Sequence, residues 1–102
     1  MILVSGTIEV TNESEIERVK TALVRRVAKS RSDEGCLDYV FSVSVDNPRQ
    51  IRLFEVWESE DLLNAHLMVP DEEFNLMLAS AGITSAKVEM HEVSASRELM
   101  SR

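Results

Sequence analysis

Two imidazoles, His66 and His91, one phenol, Tyr39, and one indole, Trp57, are the side chains of this sequence best suited to chemistry. A histidine exchanges protons near neutrality because its unperturbed pKa is about 6.5, so His66 is the leading candidate base and His91 the second. Tyr39 lies in the apolar row Leu37-Tyr39-Phe41, where its hydroxyl must meet an acceptor or a bound molecule. Trp57 offers a flat apolar wall, and its N–H needs a partner if it is buried. Glu55, two residues ahead of it, is an alternative proton acceptor, and Phe74 a further aromatic contact. Each also has a plainer reading: core for Trp57, a surface or hydrogen-bond-satisfied helix position for His66, an inert buried thiol for Cys36, and a solvated first turn for Asp71, Glu72 and Glu73.

There is no glycine-rich phosphate loop and no nucleophile elbow, and two histidines with one cysteine are too few for an evident zinc site. The expectation is a protein without flavin, haem or metal cofactor. Cys36 stands alone, so no intrachain disulfide forms, which fits a reducing cytoplasm. The formal charge of −7 repels phosphate backbones and anionic lipid heads, so neither nucleic acid nor membrane is an expected partner. Arg25, Arg26, Lys29 and Arg31 gather near the end of the first predicted helix, where cations complement the helix dipole. Residues 1–9 lack a basic leader followed by an apolar run, and no stretch of about 18 apolar residues occurs.

The elements that must position these groups follow from periodicity. Ile2, Val4, Ile8 and Val10 alternate with Leu3, Thr7 and Glu9, as in a strand with one buried face. Asn12 to Ser14 supply helix caps, Ser14 and Glu17 have capping-box spacing, and Ile16, Val19, Leu23 and Val27 form one helical stripe before Gly35 closes the segment. From Cys36 to Val45 every odd position is apolar, and 46–49 read as a turn. The return strand 51–58 carries Ile51, Leu53 and Trp57 on one face and Phe54 and Val56 on the other, so both faces must be covered. Ser59 caps a second helical region, Pro70 restarts it, and Phe74, Met77, Leu78 and Ala81 recur at helical spacing before Gly82. Residues 84–95 supply a last strand. The result is one domain over residues 1–102, with its core at about 2–95 and the order β-α-β-β-α-β. This is the ferredoxin-like α+β arrangement, an antiparallel sheet with helices on one face. The uncovered face predicts a symmetric homodimer.

The segments Glu34-Gly35-Cys36-Leu37-Asp38-Tyr39, Asp46-Asn47-Pro48, Phe54-Glu55-Val56-Trp57-Glu58-Ser59, Ala65-His66-Leu67 and Pro70 occur in an order that resembles the antibiotic biosynthesis monooxygenase family. The resemblance implies a dimeric α+β barrel and a small aromatic ligand. It covers families of chemistry as different as cofactor-independent oxygenation of quinols and haem degradation. The positions that the haem-degrading branch uses hold Gly6 or Thr7, His66 and Leu76 here, and Asp71-Glu72-Glu73 follows Pro70 where many relatives have His-Phe. The expected function is cofactor-independent monooxygenation of a quinol or polycyclic phenol. The alternative is a non-catalytic dimeric protein that binds a small ligand or serves as an accessory. In the first case the substrate itself, once deprotonated, reduces O₂, and the protein supplies a dry pocket, an orienting hydrogen bond and a base.

Overall fold

The alternating apolar residues of the first segment form β1 (Ile2–Val10), which runs through the middle of a four-stranded sheet in a computed structural model describing residues 1–102. The other elements are α1 (Glu13–Arg31), β2 (Cys36–Ser44), β3 (Asn47–Trp57), α2 (Glu60–Met68), α3 (Glu72–Ser80) and β4 (Ile83–Glu92). The strand order is β2-β3-β1-β4 and every pairing is antiparallel. Ile2 pairs with Trp57, Val4 with Glu55 and Ile8 with Ile51, so the even side chains of β1 and the odd ones of β3 share the face that the helices cover. Leu3, Val56 and Phe54 fall on the opposite face, which no element of the chain covers. No helix is long and apolar enough to cross a membrane.

Two clusters form the core: Ile2, Val4, Tyr39, Trp57 and Leu63 at one end, and Ile8, Val19, Leu23 and Ile51 at the other. Burying an aliphatic side chain of this size contributes about 1.5–3 kcal/mol, so the two clusters are the main source of stability. Gly35 joins α1 to β2 at φ +82, a backbone conformation that L side chains rarely adopt. A Cβ there would also strike the Leu62 side chain, so α2 packs against the loop only because residue 35 is glycine.

Several local expectations are corrected. The capping box does not form: Asn12 is the N-cap, and the Ser14 hydroxyl donates to the Asn12 side chain instead of accepting from a first-turn backbone N–H. The hairpin turn is shorter than residues 46–49. It occupies Val45 and Asp46, and Pro48 is accommodated at the start of β3 beside an irregularity in the β2–β3 ladder. Pro70 lies ahead of α3 and not in its first turn, because Asp71 is the N-cap and accepts from the Phe74 N–H. The buried residues of α1 are Val19, Leu23, Arg26 and Ser30, so an arginine continues the stripe, with the half-buried Val27 packed against the core beside it.

Candidate functional site

Glu55, Tyr39, Trp57 and His66 come together between the sheet and the helices. Strand parity places Glu55 and Trp57 on the helix side of β3, with Glu55 opposite Tyr39 of β2, and α2 lays His66 across them. All four are buried. The Trp57 indole Nε1 donates to Glu55 Oε1 at 2.8 Å, and its ring lies 4.6 Å from the His66 ring. Tyr39 meets the edges of His66 and Phe41, with centroids 5.7 Å away in both cases.

Arg26 ties this cluster together. It reaches His66 Nε2 at 3.0 Å, the Tyr39 hydroxyl at 3.4 Å and Asp71 Oδ2 at 3.2 Å, and its guanidinium carbon stands 4.7 Å over the Phe74 ring. His66 Nδ1 faces Asp33 Oδ2 at 2.6 Å. An arginine can only donate, so His66 Nε2 is the acceptor and Nδ1 carries the proton toward Asp33. This fixes a neutral tautomer and occupies both ring nitrogens. Of the two plainer readings of His66, a surface residue or a satisfied one, the structure shows the second: its exposure is 3% and both ring nitrogens have partners. While these bonds hold, His66 orients Arg26 and Asp33 and has no free nitrogen for a molecule arriving from solvent.

The sequence reading of Arg26 as a cation complementing the helix dipole is corrected, since its charge is spent on partners from β2, α2 and α3. Asp71 is no freely solvated first-turn residue. Partial burial acts to raise its carboxyl, but the Phe74 N–H, Arg26 and Lys29 outweigh it and hold the group below its usual range. His91 takes no part in the cluster. It lies on the open sheet face, with Nε2 at 3.1 Å from Ser5 Oγ, in a depression that also includes Arg52, Phe54, Lys87 and Glu89. The two histidines are thus on opposite sides of the sheet.

Burial pushes the Glu55 carboxyl above its ordinary range, against the Trp57 N–H and the Arg26 charge, which act to lower it. The folded protein therefore keeps this proton to higher pH than the unfolded chain. The resulting contribution to stability is complete below the ordinary glutamic acid range and is lost as pH rises through the folded-state value. Glu55→Gln keeps an acceptor for the indole and has no proton to lose. Its stability relative to wild type should increase between about pH 4 and about pH 7. Urea unfolding of both proteins at the two pH values checks this, and a pH-independent difference would contradict it.

Beside the cluster, α1 and the edge strand β2 enclose an apolar groove of about 510 Å³. It arises because α1 covers only part of β2, leaving Val43 and Phe41 incompletely packed. Leu23, Val24, Val27 and Ile51 complete its walls, and Phe41 separates it from Tyr39. Its charged lining residues are Glu17, Lys20 and Arg31, all from α1. None of the six site residues expected from the sequence lines it. The periodicity signal that could have revealed it is Val24, Val27 and Ala28 on α1, apolar or small positions adjoining the stripe toward the core. No group of three or more His, Cys, Asp or Glu side chains is arranged to hold a metal ion.

The sequence profile of the antibiotic biosynthesis monooxygenase family matches residues 1–71, and the chain belongs to that family. Among solved structures, a candidate antibiotic biosynthesis monooxygenase from Deinococcus radiodurans is similar over 99% of this chain and 100% of its own, at 20% identity and a TM-score of 0.86. Another from Nitrosomonas europaea is similar over 93% and 100%, at 16% identity and a TM-score of 0.79. A Bacteroides thetaiotaomicron protein of unknown function is similar over 90% and 96%, at 24% identity and a TM-score of 0.73. At these identities the likeness establishes the fold, which is ferredoxin-like. No functionally curated protein matches the chain.

Proposed function

We propose that the protein is a cofactor-independent monooxygenase of a quinol or polycyclic phenol, and that the α1–β2 groove holds this substrate. The observation that carries the proposal is the groove itself, an apolar slot of about 510 Å³ with the Phe41 ring in its wall and ionisable groups confined to one helix. An apolar site with a few placed polar groups is the usual form of a small-molecule pocket, and displacement of water from it by the bound rings favours electron transfer from the phenolate to O₂. Glu17 accepts the phenolic proton and Lys20, three residues along the same helix face, offers positive charge to the phenolate. Bonding of oxygen to a ring carbon, followed by loss of water, gives a quinone. One atom of O₂ enters the product, the other leaves as water, and the substrate supplies all the electrons.

In this reading Tyr39, Glu55, Trp57, His66 and Phe74 form the rigid layer behind the Phe41 wall and act by positioning it. His91 belongs to the face on which a second copy packs. The half-covered Phe54, Leu3 and Val56 of that face support a homodimer. Sedimentation should give a species of twice the 11.5 kDa chain mass, and a lone 11.5 kDa species would rule the dimer out. The functional reading is tested by oxygen uptake with 1-naphthol, present in the wild type and lost when Ala28→Trp fills the groove.

A further inference from the structure

Helix α1 carries six basic residues, and five of them make hydrogen bonds through their charged ends within the protein. Arg18 reaches Glu15 and the Ser80 carbonyl, Arg25 pairs with Glu73, Arg26 holds Asp71 and His66, and Lys29 donates to the Pro70 carbonyl. The fifth, Arg31, is held through one nitrogen only, and it lines the groove together with Lys20. In a chain with net charge −7, two cations of this helix without an ion-pair partner therefore line one apolar slot. They are not equivalent. Lys20 is three residues from Glu17, whose carboxylate lines the same wall and offsets it.

Arg31 lies 14 residues from Glu17, about 21 Å along the helix axis. Its Nε donates to the Tyr39 main-chain carbonyl at 3.0 Å, which holds the guanidinium against β2, and its two terminal nitrogens make no hydrogen bond within the protein. A guanidinium anchored through Nε at the exposed rim of an apolar slot, with its other donors unpaired within the protein, is organised in advance for a planar oxyanion.

We propose that the ligand of the groove is an aromatic acid, and that its carboxylate is bound by Arg31. The apolar rings then extend along Val27, Phe41 and Val24 toward Lys20 and Glu17. This rests on the reading of the groove as the substrate site and adds the class of substrate. Arg31 is a binding residue that fixes which end of the molecule faces which end of the slot. Its anchoring carboxylate is distinct from the phenolic group that reacts.

The test is equilibrium dialysis of the full chain against anthracene-2-carboxylate and, separately, its neutral carboxamide. The carboxylate should bind about tenfold tighter or more, the range that one charge-assisted hydrogen bond supplies. Arg31→Gln should erase that preference while leaving the carboxamide affinity in place, and Arg31→Lys should retain part of it. Raising the salt concentration should weaken binding of the carboxylate only, an arm that needs no variant to fold. Equal affinities for the two probes in the wild type, or a preference surviving in Arg31→Gln, would overturn the assignment of Arg31 while the groove stands. Failure of both probes to bind would overturn the groove as well.

Discussion

Arg26→Ala is expected to destabilise the protein by about 3–5 kcal/mol, the cost of removing one partner from a buried ionic network. The arginine is 8% exposed and meets Asp71, His66, Tyr39 and the Phe74 ring at once. Truncation leaves His66 Nε2 a buried acceptor with no donor, removes the cation from beside Asp71, and opens a void next to Phe74. Arg25→Ala, one residue away, is the matched control. Its pair with Glu73 is exposed on both sides, and such pairs contribute about 0–1 kcal/mol. Urea unfolding of the two variants should therefore separate them by several kcal/mol. A loss of under about 1 kcal/mol in Arg26→Ala would place that side chain in solvent and dissolve the polar cluster around it.

The network also explains which parts of the site are legible in the sequence. Strand parity is enough to put Glu55 beside Trp57, since residues 51, 53, 55 and 57 share a face and three of the four are large and apolar. A carboxylate in the middle of an otherwise apolar row is itself a signal that the residues alone carry. The direction of Arg26 is not legible in this way. Positions 26 and 27 both follow Leu23 at helical spacing, and the choice between them depends on where α3 docks, a contact between residues 45 apart. Reading Arg26 as a surface cation conceals the polar cluster, and reading Val27 as core alone conceals the groove, because Val27 both packs against the core and lines the slot beside β2.

His66 and His91 cannot be told apart by pattern for a similar reason. Each is the only imidazole of its element, and only the pairing of β4 with β1 shows His91 opposite Leu3, on the face away from the helices. Long, strongly periodic elements are legible because their signal is local. The residues of the site depend on how those elements pack, and for that the sequence holds only indirect clues.

Oxygenation of a phenol by O₂ in the α1–β2 groove, without a cofactor, requires that the groove be open to the substrate. Ala28 is exposed on the groove side of α1, so a tryptophan there fills the slot with little effect on the core. The decisive measurement is oxygen consumption by metal-free protein with 1-naphthol under ¹⁸O₂, with heat-denatured protein as the control for autoxidation. The wild type should consume one O₂ per naphthol and place one labelled atom in the quinone. In Ala28→Trp, kcat/KM should fall about 100-fold or more, because the reacting ring can no longer reach its position, while Tm stays close to that of the wild type. Oxygen uptake no faster than in the denatured control would contradict the oxygenase reading, and an undiminished rate in Ala28→Trp would place the chemistry outside the groove.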